Sequence, residues 1–363
     1  MPPHKLLLRP RLLFTTLAAL ALGACSPPPT KDPQADISAA IANQVILPTY
    51  TRWVEADRQL AISALAFCAG NADLSTARAD FLHAQKAWAA LQPLLIGPLA
   101  EGNRAWSVQF WPDKKNLVGR QVEALVSAGQ PIDAQSLTHA SVVIQGLSAY
   151  EYILFDSKPE LADATRKASY CPLLVAIGER QKHLAEEILA GWTGTDGVLA
   201  QMSTFPNQRY ADSHEAIAEV LRVQVTALDT LKKKLGTPMG RQSKGVAQPY
   251  QAEAWRSQSS LKSLQASLSA AQSVWLGVDG KGLRGLLPAD QGALAEKIDS
   301  AYIGALQALD ANSRPLTALL EDPTGKPVLD DLYARLDAVH RLHQNELAKA
   351  LNIQLGFNAN DGD

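Results

Sequence analysis

Glu151 sets one carboxylate inside an otherwise apolar helical run, Gly146 to Asp156 of a 363-residue chain. At about 100° per residue, Val143, Leu147, Tyr150 and Leu154 share a core stripe. Gln145, Ala149, Tyr152 and Asp156 fall opposite, and Glu151 lies on a flank with Ile144, Ser148 and Phe155. A carboxylate there either reaches solvent or finds a partner, because an unpaired buried charge is too costly to keep. A second constellation is His340, His343 and Glu346, whose three-residue steps run along one helical flank and suit a borderline divalent ion. With Arg341, Gln344 and Asn345 on the same helix, a solvated face is the preferred account of these residues. His183 and Glu186 repeat the spacing once more. Asn358, Asn360, Asp361 and Asp363 offer oxygen ligands, but not in EF-hand order. There is no His-Glu-x-x-His, and Tyr150 stands where a Gly-x-Ser-x-Gly elbow after Ser148 would need glycine. Standard zinc-protease and serine-hydrolase chemistries are therefore unsupported.

The elements that must position these groups are helical. Alanine and leucine are abundant, β-branched runs are rare, and proline and glycine cluster between periodic segments. Helices are expected near 37–68, 73–92, 113–128, 134–155, 171–191, 210–235, 249–275, 290–312 and 328–352. Pro48 should kink or divide the first; Asp73 reads as an N-cap, and Gly129 and Gly191 as helix stops. The Gly-Thr-Pro-Met-Gly-Arg-Gln-Ser-Lys-Gly stretch from Gly236 breaks periodicity and marks a boundary between helical halves at 37–240 and 241–363. Lys232, Lys233 and Lys234 before it are read as cations complementing a helix C-terminus.

Residues 1–24 read as a lipoprotein signal peptide, with a basic start at His4, Lys5, Arg9 and Arg11 and an apolar run from Leu12 to Leu22. Leu22-Gly23-Ala24-Cys25 reads as a lipobox, so Cys25 is the expected lipidation site and the membrane the expected partner, through an anchor rather than a span. Residues 25–36 follow as a proline-rich tether. The absence of Asp after Cys25 suggests outer-membrane sorting, facing the periplasm. Loss of Lys5, Arg9 and Arg11 with the leader takes the formal charge from −2 to −5, which argues against nucleic acid as a partner.

Gly146, Ser148 and Glu151 resemble the Gly-x-His-x-x-Glu signature of the imelysin-like family, with Ser148 in the histidine position. Gln109-Phe-Trp-Pro-Asp113 resembles its Trp-Pro turn, Ala77-Arg78 to Trp88 its early helix, and Leu261 to Leu287 and Leu355 to Asp363 a lipoprotein branch of it. The resemblance covers nearly the whole mature chain. It implies an all-α fold of two bundle-like halves packed along a central cleft lined by the signature helix. It also implies a Cys68–Cys171 disulfide, with two free buried thiols as the alternative. Glu151 would be the central cleft carboxylate and metal ligand, with Ser148 orienting it or a bound water. Trp111 and Asp113 either form a helix entry or wall the cleft with Asp113 facing Glu151. A serine hydroxyl is a poor substitute for imidazole at a transition metal. The implied function is therefore a noncatalytic accessory or binding protein in metal uptake, iron above all, with iron or another divalent ion as the implied ligand and an outer-membrane receptor or other uptake protein as partner. A metallopeptidase and a receptor-associated peptide-binding module are the alternatives.

Overall fold

The computed structural model describes Met1 and residues 32–356. Cys25, the leader and the tail residues Asn358, Asn360, Asp361 and Asp363 lie outside the described residues. Every regular element among those described is helical. In chain order these are α1 (Pro33–Ile41), α2 (Leu47–Cys68), α3 (Leu74–Leu91), α4 (Arg104–Val108), α5 (Leu117–Ala128), α6 (Ala134–Thr138) and α7 (Leu147–Phe155). There follow α8 (Ala164–Thr193), α9 (Val198–Gln201), α10 (Ser213–Gly236), α11 (Ser260–Leu276), α12 (Gly292–Asp310), α13 (Leu316–Glu321), α14 (Gly325–Arg341) and α15 (Ala348–Ala350). No helix among the described residues is long and apolar enough to cross a membrane.

Local chemistry sets the boundaries. Asp32 caps α1 by accepting from the backbone N–H groups of Gln34 and Ala35, so the helix begins at Pro33, inside the stretch assigned to the tether. A π-helical turn, Ala42–Ile46, joins α1 to α2, and Pro48 falls in the first turn of α2, where its missing N–H costs little. Asp73 caps α3 through Thr76 N, and Gly129 ends α5 at φ 62°. Gly191 is not a stop. It lies inside α8 because its bare Cα faces Pro98, whose Cγ would be 2.7 Å from an added Cβ. Two expected helices are shorter than anticipated. The 134–155 segment breaks into α6, a 3-10 turn at Val142–Ile144 and α7, and the 249–275 segment is α-helical only from Ser260, after a 3-10 turn at Pro249–Gln251.

One group of helices is built on α2, which packs along α3 and α8; the other joins α10 and α12 to α14, and α11 to α12. The two groups meet where α3 packs on α11. α7 is enclosed by α3, α5 and α8, so Ala149 and Tyr152, expected on an outer face, are buried with the rest. Cys68 and Cys171 are disulfide-bonded, tying the end of α2 to α8 across 103 residues of chain.

The second histidine constellation dissolves into packing. His343 is fully buried between the rings of Trp275 and Tyr302. The Val339 carbonyl can only accept, so the His343 Nδ1 that lies 2.9 Å from it carries the proton, and Nε2 accepts from the Tyr302 hydroxyl at 3.1 Å. His340 is also buried, against Lys232, whereas Glu346 pairs outside with Lys297. Neither a shared metal site nor the solvated face expected from sequence is present among the described residues, because His340 falls on the buried face of α14 and His343 is buried in the π-helical turn at Leu342–Leu347 that follows. Burial holds the His343 pKa down to about 4. The folded state therefore binds fewer protons than the unfolded chain below the ordinary value of 6.5. Stability is expected to fall as pH drops from about 6.5 to about 4, by at most about 1.4 kcal/mol per pH unit through this group. Urea unfolding of the wild type and His343→Gln across that range checks this, and parallel profiles would refute it.

Candidate functional site

The carboxylate of Glu151 is buried, 4% exposed, and both of its hydrogen bonds fall on Oε1. They come from the backbone N–H of Ser257 at 2.8 Å and the Ser257 hydroxyl at 2.7 Å. Burial pushes the Glu151 pKa up; the two Ser257 bonds and the nearby Arg256 charge oppose that rise, and Glu253 adds to it. The turn that brings Ser257 here is irregular, with Ala254 at φ 49° and Gln258 at φ 58°. Non-glycine residues persist in the left-handed region only when their surroundings fix them. Arg256 supplies part of that fixation. Its guanidinium donates to Asp156 and Asn116 at 2.9 Å each and lies over the Trp255 and Tyr152 rings.

The sequence residues are brought together here, in roles set by their neighbours. Gly146 starts α7 where the chain presses on α4: a Cβ would sit 2.2 Å from the Val108 carbonyl oxygen and 2.4 Å from that of Ser107. Ser148 donates to the Phe110 carbonyl at 2.8 Å. It thus fastens α7 to the Trp-Pro turn and does not orient Glu151, a task that falls to Ser257. The Trp111–Pro112 peptide is cis, and Trp111 Nε1 donates to the Gln251 carbonyl at 2.9 Å. Asp113 accepts from the N–H groups of Leu117 and Val118, so its carboxylate secures the entry to α5. Asp113, Ser148, Glu151 and Arg256 line a common cavity of only about 20 Å³, room for roughly one water molecule.

Beyond Trp111 lies a buried ion pair. Lys234, 6% exposed, pairs with Glu253, 3% exposed, and also donates to Gln92 Oε1 at 2.8 Å. Its ammonium lies 5.4 Å from the centre of the Trp111 ring. Lys234 therefore does more than complement a helix end: it faces the core, and burial lowers its pKa against the attraction of Glu253. Trp88, Trp106, Trp111 and Lys234 line a larger cavity of about 480 Å³ on this side.

A helical chain whose signature helix is wrapped by a Trp-Pro turn and a second, C-terminal turn can be compared with known proteins. The peptidase M75 model, described as imelysin, matches residues 46–343. The chain belongs to the imelysin family. Iron-regulated protein A of Synechococcus elongatus is 23% identical over 299 residues, spanning 78% of this chain and 77% of that protein. The fold is that of an imelysin-like protein of Psychrobacter arcticum, with a TM-score of 0.72 at 19% identity, covering 90% of this chain and 98% of the other. A proposed iron-regulated protein A precursor of Parabacteroides distasonis gives 0.67 at 18% identity, covering 88% and 97%.

The imelysin frame makes a metal centre at Glu151 the natural question, and the donor set answers it poorly. Glu151 is bonded to Ser257, Asp113 to two backbone N–H groups, and Glu253 to Lys234. Among the described residues no three His, Cys, Asp or Glu side chains are placed to share one metal ion. These residues do not fit a bare transition-metal ion. Sequence reasoning missed Glu253, Arg256 and Ser257 because residues 249–275 were read as one helix. The cluster Ser257-Gln258-Ser259-Ser260, poor in helix formers, was the available warning. Glu151→Ala leaves the Ser257 N–H without its acceptor, while the hydroxyl can turn to the Ala254 carbonyl or Ser259, and is expected to cost about 1–3 kcal/mol, whereas Glu151→Gln keeps an oxygen there and costs less. Equal losses on chemical denaturation would contradict this.

Proposed function

We propose that this imelysin-family protein is a noncatalytic accessory or binding component of iron uptake. It is held at the outer membrane by a lipid on Cys25, faces the periplasm, and works beside an outer-membrane receptor or another envelope uptake protein. The observation that carries this reading is the engagement of the Glu151, Asp113 and Glu253 carboxylates by donors of the protein itself. A hydrolytic metal centre needs ligands that leave an open position, together with a free base. Glu151, Asp113 and Glu253 are each committed to holding a turn, a helix entry or a cation. In the proposal Ser148 replaces the signature histidine and serves as a fastener, which turns an ancestral ligand pair into a structural wall. The iron connection is supported by the relative named iron-regulated protein A.

Deleting the gene is expected to slow growth under iron chelation and reduce radioactive iron uptake, with rescue by the wild type and weaker rescue by Cys25→Ser, which also loses palmitate labelling. Unchanged growth and uptake in the deletion strain would end the iron reading. A second reading, a peptide-binding module for a receptor, is favoured by Trp106, which is 45% exposed and lines the 480 Å³ cavity with Trp88 and Trp111. In-cell crosslinking from position 106 that traps a receptor loop, without any iron phenotype, would select it.

A further inference from the structure

A groove of about 1080 Å³ runs between α2, α3 and α11, on the far side of the turn that Glu151 holds. Its lining is unlike that of the tryptophan cavity. It carries three exposed cations, Arg52, Lys86 and Lys262, no Asp or Glu, and hydroxyl and amide side chains set among apolar ones such as Leu82, Leu276 and Val278. Arg52 donates to Thr49 Oγ1 and Lys262 to Gln265 Oε1, and none of the three cations forms an ion pair among the described residues. On a chain with formal charge −2, an acid-free hollow bearing three cations is a local inversion of sign. Such a hollow concentrates anions.

The floor is built rather than incidental. Gln85 is 1% exposed and Ser263 2%; the Gln85 amide donates to the Ser263 hydroxyl at 3.4 Å and its oxygen accepts from Gln109 at 2.9 Å. Gln109 in turn accepts from Trp88 Nε1 at 2.8 Å. At the other end Ser257, fixed by Glu151, lies 2.9 Å from the Ser259 hydroxyl, and both serines line the groove. Glu151 is thus a positioning residue for this wall. The lining also lacks His and Cys, so a bare iron cation would meet three positive charges and no good ligand. A ferric ion already wrapped in oxygen donors presents the opposite surface, negative and rich in acceptors.

We propose that the groove binds an anionic, oxygen-rich small molecule, specifically a ferric ion carried as a negatively charged polycarboxylate chelate. The ferric half rests on the iron-uptake reading above; the anion half rests on the groove alone. Its volume of about 1080 Å³ slightly exceeds the usual range of small-molecule sites, roughly 300–1,000 Å³, and is enough for a whole chelate.

Titration calorimetry of the purified protein with ferric citrate tests this, alongside iron-free citrate and a neutral ferric trihydroxamate. Saturable binding of ferric citrate that weakens with salt is expected, with little binding of the other two. Arg52→Glu/Lys86→Glu/Lys262→Glu should weaken binding by roughly tenfold or more. Ser269→Trp, on the exposed groove face of α11, should block it by bulk without changing charge, and unchanged helical circular dichroism certifies both folds. No saturable binding, or binding unaltered in both variants, overturns the groove assignment. Citrate alone binding as tightly overturns the ferric half. Either failure with the deletion phenotype intact leaves the iron-uptake reading standing, whereas a chelate-binding protein without that phenotype separates the two the other way.

Discussion

Lys234→Met is expected to destabilise the fold by about 3–5 kcal/mol, and Lys234→Met/Glu253→Gln to recover most of that loss. Both side chains of the pair are nearly inaccessible, 7% and 3% exposed, so neither ion can regain its hydration while the fold is intact. The ammonium has three recipients, Glu253, Gln92 Oε1 and the face of Trp111. Gln92 also donates to Glu253 at 3.1 Å, and Ser267 of α11, whose hydroxyl donates to the Ala89 carbonyl at 2.5 Å, lies 3.3 Å from its oxygen. Methionine fills the space of the lysine stem but leaves the Glu253 carboxylate buried with one neutral amide as its remaining side-chain partner. The double variant removes that orphaned charge and offers Gln92 another amide. Because the Glu253 backbone carbonyl also receives the Ser260 hydroxyl, loss of the pair should loosen the whole 253–260 turn and with it the Ser257 contacts to Glu151. Urea unfolding of both single variants and the double completes the cycle. A loss below about 1 kcal/mol in the single variants would mean that water reaches the pair, at the level of a surface bridge.

Periodicity read along α10 explains how much of this was legible. Ile217, Leu221, Val225, Leu228, Leu231 and Leu235 trace its buried stripe, and Lys234 stands three residues beyond Leu231, on the same side. The lysine run was read instead by composition, as charge near a helix end, and the stripe that carries Lys234 inward was overlooked. Glu151 shows the opposite case. Its place on the flank of an apolar run leaves solvent or a partner as alternatives; the structure buries it, and the partner lies 106 residues away in a turn whose left-handed residues are alanine and glutamine. Neither residue type announces that conformation. Tertiary contacts, not local propensity, impose it. The all-α architecture was legible because it depends on repeated local patterns. The helix breaks at 139–146 and 249–259 were not, because there the chain bends to meet groups distant in sequence.

Asp57→Asn is expected to raise stability at neutral pH and to flatten its dependence on pH. Asp57 lies on α2, fully buried, and neither carboxylate oxygen has a hydrogen-bond partner among the described residues; Trp53 Nε1, one turn earlier, is likewise unpartnered. Burial alone raises the Asp57 pKa well above its ordinary 3.8. The folded state therefore holds a proton that the unfolded chain has released, so stability declines as pH rises from about 3.8 toward the folded value. The decline is bounded at about 1.4 kcal/mol per pH unit, but the large shift spreads it over a wide interval. Asparagine has nearly the same shape and no charge to suppress, so it removes the slope while leaving the packing of α2 on α3 and α8 in place. His343 acts with opposite sign between about pH 4 and 6.5, so the two slopes offset each other there in the wild type, and the Asp57 decline stands alone above about 6.5, where the asparagine variant removes it. Parallel unfolding profiles for the two proteins between pH 4 and 8 would show that Asp57 has found a partner or solvent in solution. Above about pH 6.5, where His343 no longer titrates, a variant whose stability falls more steeply than the wild type's would reverse the assigned sign.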